Sequence, residues 1–151
     1  MTRALLLDTA VLGRLTHPRP SDEIRDWLAR LREAGVAVMV PEIADYELRR
    51  ELLREGLADS LARLDRLGVF LRYVPLTTRA MRLAAEFWAR ARAIGRPTAP
   101  NQTLDGDVIL AAQAAVVADE ADEAIIATDN VGHLSLFADA RRWTDIGPEG
   151  T

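Results

Sequence analysis

Apolar positions along the chain fall into two patterns. Short unbroken runs (Ala4 to Leu7, Val36 to Val40, Val69 to Val74 and Ala124 to Ala127) predict strands buried on both faces. Between them the apolar residues recur at helical spacing. Ile24, Trp27, Leu28 and Leu31 share one face of a predicted helix from Ser21, a good N-cap, to about Ala34, closed by Gly35. Pro41 suits the first position of a helix running through Glu55, and Gly56 separates it from another over Leu57 to Leu67. Further helices are expected from Thr77 or Thr78 to about Ile94 and from Leu104 to Val117, with a loop from Gly95 to Thr103 between them. NVGHLSLF reads as a turn region, and Trp143 to Ile146 as a short fifth strand.

Strands alternating with helices predict an α/β fold: three layers, α/β/α, around a parallel sheet of four or five strands. At 151 residues, the expectation is a single domain over 1–151. Ligands of such sheets bind outside the carboxyl ends of the strands, so the residues just after strand ends matter most. Asp8 follows the first strand directly, and Asp129 lies two residues after the fourth. Glu47 falls in the second turn of the helix after the second strand, and Asp107 in the first turn of the helix after the proline-containing loop. Each has a plain structural alternative. Asp8 could cap a helix, Asp107 could favour a helix dipole, Glu47 could pair with arginines on a solvated face, and Asp129 could belong to a turn. Their joint placement on one rim is the stronger signal.

Composition then narrows the chemistry. There is no cysteine, which removes disulfides, thiolate metal sites and thiol catalysis. All 19 basic residues are arginine, so Schiff-base chemistry and a lysine-dependent phosphate loop are absent. The 23 acidic residues leave a net charge of −4, against a general basic coat but not against a local arginine patch. No apolar run is long enough to span a bilayer, and the opening segment is too short for a signal peptide, so a cytoplasmic location and no membrane partner are expected. Clustered carboxylates need a counter-charge, since two of them about 5 Å apart repel by roughly 3 kcal/mol at an effective dielectric near 20. All-oxygen ligands select Mg²⁺ or Mn²⁺, ions able to activate water and neutralise a phosphodiester.

LLLDTAVL at the start, Glu47-Leu48 after PEIADY, DVILAAQA from Asp107, and IIATDN followed by HLSLF resemble PIN-domain ribonucleases, in particular the VapC-like toxins of type II toxin–antitoxin pairs. The resemblance spans nearly the whole chain. It implies a Mg²⁺- or Mn²⁺-dependent endoribonuclease hydrolysing RNA phosphodiester bonds, with tRNA as one substrate option, a cognate antitoxin as partner and a homodimer as an assembly option. It implies that Asp8, Glu47 and Asp107 are metal-binding and catalytic. The fourth acidic position is filled by Asp129 or by its neighbour Asn130, and Thr128 is a supporting residue that orients water or a ligand. Where the family usually has Asn after Asp-Thr, this chain has Ala10.

Arg49, Arg50 and Arg54 are candidate RNA contacts, against a solvated face with ion pairs to Glu51 and Glu55. His17 and His133 read as surface or structural histidines, and Trp27, Trp88 and Trp143 as core or interface. Asp105 is expected to be the N-cap of the Asp107 helix, since residues two apart cannot share a helix face. Ala10 two residues after Asp8 and the missing lysine exclude a haloacid-dehalogenase-like phosphatase, and the missing lysine also excludes a phosphoacceptor receiver domain. The remaining alternative is a catalytically silent PIN-like domain that binds RNA or protein.

Overall fold

The computed structural model describes residues 3–94 and 101–148. Five strands form one sheet in the order β3-β2-β1-β4-β5, with every pairing parallel. They are β1 (Arg3–Leu7), β2 (Ala37–Pro41), β3 (Arg72–Val74), β4 (Glu123–Thr128) and β5 (Ala140–Arg142). The helices are α1 (Thr9–Thr16), α2 (Asp22–Glu33), α3 (Glu42–Glu55), α4 (Ala58–Phe70), α5 (Thr78–Ala93) and α6 (Asn101–Ala118).

Alternation along the strands sends residues to two cores. Leu5, Leu7, Val38, Val40, Ile125 and Ala127 pack with Val11 and Leu12 of α1 and with Ile24, Trp27 and Leu31 of α2. Ala4, Leu6, Met39 and Ile126 face the other way, onto Leu110, Ala114 and Val117 of α6. Outside α6, α5 adds Ala80, Ala84 and Phe87. These are the three expected layers. Gln113 is buried at 1% exposure and stitches them: its Oε1 accepts from Ile43 N at 3.2 Å, and its Nε2 donates to Val74 O at 2.8 Å. That one side chain ties α6 to the start of α3 and to the end of β3.

Predicted helix ends are observed where a side chain or glycine dictates them. Ser21 Oγ accepts from Ile24 N, Thr77 Oγ1 accepts from Ala80 N, and Gly56 closes α3 with φ of 69°. Four expectations need correction. First, α1 was not anticipated in the sequence. Second, Val69 and Phe70 are the last turn of α4, not a strand; β3 pairs with β2 only from Met39↔Arg72 onward, so no strand partner reaches them. Phe70 instead lies under the Arg32 guanidinium, 3.9 Å from its ring centre. Third, the fifth strand is Ala140–Arg142; Trp143–Asp145 is a 3₁₀ turn that drops Trp143 into the core, edge-on to Trp27 at 5.4 Å. Fourth, α6 begins at Asn101, not Leu104, so the predicted Gly95–Thr103 loop falls partly inside this helix, and its residues 95–100 lie outside the described ones.

Candidate active site

The order of the sheet reverses between β1 and β4, whose carboxyl ends open side by side. A crevice outside such a switch point is where open α/β sheets bind ligands. Asp8 ends β1 and is the N-cap of α1, its Oδ1 accepting from Thr9 N at 2.7 Å. Its Oδ2 accepts from the hydroxyl of Thr128, the last residue of β4, at 2.6 Å. Thr128 Oγ1 in turn accepts from Asn130 N at 3.1 Å. Thr128 therefore supports Asp8 directly, and both oxygens of Asp8 are oriented by the chain.

Glu47 arrives from the second turn of α3. Its Oε1 accepts from Thr9 Oγ1 at 2.8 Å, so the residue after Asp8 holds the next acid of the set. Its Oε2 lies against α6: a Cβ placed on Gly106 would be 2.5 Å away. The missing side chain leaves room for the Glu47 carboxylate against α6, beside Asp107, the next residue of that helix. Asp107 is in the second turn of α6 rather than the first, because the helix starts early. For the same reason Asp105 is not an N-cap. It is exposed within the helix and lines a cleft with Trp88, Met81 and Val108.

Burial pushes the Asp107 carboxyl up to about 6; Asp8 and Glu47 add to the rise, and His133 opposes it. Burial also raises Asp8, with hydrogen bonds from Thr128 and Thr9 pulling it down and the charge of Asp129 pushing it up. Asp8, Glu47 and Asp107 thus form one electrically coupled group. His133, read as a surface or structural residue, lies close enough to act on it.

Asp129 is near this group but turned from it. Its carboxylate is gripped by Arg14, through Nε at 3.2 Å and Nη2 at 3.1 Å, and by Trp143 Nε1 at 3.0 Å. Arg14 escaped the sequence reading because α1 did; placing it on the face of a helix that starts at Asp8 would have revealed it. Asn130 is exposed beside the rim. Of the three candidate RNA contacts, Arg49 is paired with Asp45 and Asp65, and Arg54 with Glu51 and Glu55. Arg50 lies over the Tyr46 ring at 5.2 Å. Of the three, Arg54 makes the pairs to Glu51 and Glu55 named in the alternative.

Among the described residues, no three acidic or histidine side chains are drawn together as a ready-made chelate. The donor chemistry nevertheless fits a hard divalent cation: carboxylate oxygens from three elements, two of them with pKa raised chiefly by burial and further by neighbouring acids.

The PIN domain family matches residues 5–132, which contain Asp8, Glu47, Asp107 and Thr128. The chain belongs to the PIN domain family. Its fold recurs in solved structures. A chain of VapBC2 from Rickettsia felis, bound to a DNA fragment from its promoter, superposes with a TM-score of 0.73 at 16% identity over 93% of this chain and 98% of that one. A chain of DNA-bound VapBC from Salmonella typhimurium gives 0.70 at 18% identity, over 95% and 99%. A chain of FitAcB from Neisseria gonorrhoeae gives 0.62 at 22% identity, over 93% and 99%. At these identities the likeness is one of fold. No curated protein matches the sequence. No helix of this PIN domain, among the described residues, is long and apolar enough to cross a membrane.

Proposed function

We propose that this PIN domain is a divalent-metal-dependent endoribonuclease and the toxin of a toxin–antitoxin pair. The observation that carries the reading is the coupled group of Asp8, Glu47 and Asp107 at the switch point of the sheet. These three residues would hold Mg²⁺ or Mn²⁺. When bound, the ion neutralises charge on a phosphodiester and lowers the pKa of water. The chain's own part is positional. Thr128 and Thr9 N orient Asp8, Thr9 Oγ1 orients Glu47, and Gly106 leaves the Glu47 carboxylate room against α6, the helix that carries Asp107. Asp107, pushed up to about 6, is still mostly ionised at neutral pH and so can meet a cation as a carboxylate.

The folds it shares come from VapBC and FitAcB structures, which supports a cognate protein partner for this chain. An acidic rim also suits an antitoxin arginine, which a carboxylate can grip through two hydrogen bonds. Co-purification with the product of a neighbouring gene tests that pairing.

The decisive experiment is RNA cleavage with Mn²⁺ and with chelator. The expected result is Mn²⁺-dependent cleavage that Asp107→Asn abolishes while exposed Asp105→Asn keeps most of it. A folded wild-type protein that binds RNA but cuts none with Mn²⁺ would instead support the catalytically silent reading, which the lack of a ready-made chelate among the described residues favours.

A further inference from the structure

The acid rim repels the polyanion that the proposed function requires it to approach, so a counter-charge must lie beside it. Several arginines are engaged elsewhere. Arg25, Arg49, Arg54, Arg79 and Arg141 sit in ion pairs with acids of other surfaces. Beside the rim is a cleft of about 390 Å³ between α1 and the start of α2. Its wall on α1 is made of Ala10, Gly13 and Arg14, positions i, i+3 and i+4, which share one helix face, and continues onto His17, the residue that ends the helix. The other face of α1, with Val11 and Leu12, is in the core. Ala10 and Gly13 are small, so the floor is backbone and methyl. Arg19 and Asp129 complete the charged lining, which leaves two guanidiniums against one carboxylate.

Each group is set for an anion. Arg14 is half exposed yet held by Asp129 through Nε and Nη2, with the Trp143 ring centre 5.9 Å away, and its Nη1 is not used in that grip. Asp129 is itself fixed by the Trp143 indole N–H. The guanidinium is therefore pre-oriented, and little side-chain entropy remains to be lost on binding. Among the described residues the Arg19 guanidinium makes no hydrogen bond or ion pair. Its backbone N–H donates to His17 Nδ1 at 3.0 Å, which places the imidazole proton on Nε2 as a further donor.

We propose that this cleft is a phosphate subsite for the RNA backbone, in which Arg14 and Arg19 bind a phosphodiester next to the one at the acid group and Asp129 positions Arg14. The proposal rests on the nuclease reading and gives Asp129 a positioning role instead of a metal-binding one. Its position decides the ligand. Asp8 caps the helix whose Ala10, Gly13 and Arg14 line the cleft, so cleft and acid group are adjoining parts of one surface, as successive phosphates of one strand need.

The test is binding of a short fluorescent oligouridylate to the full chain in chelator, across a range of salt. Affinity without metal does not depend on cleavage. The Arg14→Ala/Arg19→Ala double variant is expected to bind about tenfold more weakly, the loss of one charge-assisted contact. Its log–log salt dependence should flatten by about 0.7 for one phosphate released. Arg14→Lys/Arg19→Lys should restore the salt slope but not the full affinity, because lysine lacks the planar fork. Arg79→Ala, at the Asp119 end of α6 away from Asp107, should change neither. Circular dichroism melts establish that each variant is folded. A folded double variant with wild-type affinity and slope overturns the subsite alone, and would mean that the cleft takes another anion, such as a partner carboxylate. A wild-type chain that neither binds nor cuts RNA overturns the subsite and the nuclease reading together.

Discussion

Asp107 shows how much the candidate site costs the fold. Its carboxyl titrates near 6 in the folded chain against 3.8 for a free side chain. Below about 4 both states hold the proton, and between the two values only the folded state does. The penalty is therefore absent in acid, grows as pH rises from about 4 to about 6, and is fully present above that. At neutral pH it is about 2 kcal/mol, discounted for the part of the side chain that solvent reaches. Asp107→Asn removes the charge and keeps the shape. In chelator at pH 7 it is expected to raise Tm by about 5 °C. The gain should fall to about half near pH 5 and vanish only below about pH 4, where the unfolded chain holds the proton as well. Thermal melts at these pH values check this. An unchanged or lower Tm at pH 7 would mean that neither burial nor the neighbouring acids penalise the Asp107 charge.

The element that sets the geometry of the site is α6, and Gly106 is its contact point. Gly106→Ala improves helix propensity by about 1 kcal/mol. It also puts a methyl where Glu47 Oε2 now lies. Glu47 is at the end of a flexible side chain, so it is the carboxylate that moves, not the helix. The expected outcome is a chain of equal or greater stability with cleavage reduced at least as strongly as by Glu47→Gln; wild-type cleavage in Gly106→Ala would show that the position of Glu47 is not needed. This contact was invisible in the sequence, because DGD names no neighbour. Elements carrying their own end signals were legible: Ser21 and Gly35 bracket α2, Thr77 opens α5, and Gly56 ends α3. Those whose limits depend on tertiary partners were not. VFL looks like strand, but only Leu71 of the three is buried, and Val69 is 88% exposed at the end of α4. Ala140–Arg142 lacks apolar alternation because it is an edge strand. The acids themselves were readable, since three of the four follow strand ends or helix starts fixed by the sheet. What each acid holds was not, because Arg14, Thr9 and Trp143 reach it from distant parts of the chain.

Across the whole molecule, the sheet supplies the rim and α1, α3 and α6 supply what lines it. A ligand there touches elements from both faces of the sheet, so it is felt as global stability. A cation that binds only the folded chain stabilises it by about 2.7 kcal/mol at 100 times its Kd. Mn²⁺ is accordingly expected to raise Tm in the wild type, and to do so far less in Asp107→Asn. Melts with and without millimolar Mn²⁺, alongside calorimetry, check this. No shift in the wild type would count against metal binding by the free protein.

Crowding like charges at the rim also shapes how such a chain can be disarmed. If the protein poisons its own cell when unchecked, survivors are those that lose the activity. Neutralising Asp107 silences the group and relieves strain in a single step, so the inert product is sturdier than its parent and persists. Disrupting Gln113 instead leaves the groups it joins, Ile43 N and Val74 O, without partners in the interior, and such a chain is degraded. Disarmed copies recovered from surviving cells should therefore carry their changes at the acids more often than in the core, and should accumulate as folded protein still able to occupy the partner.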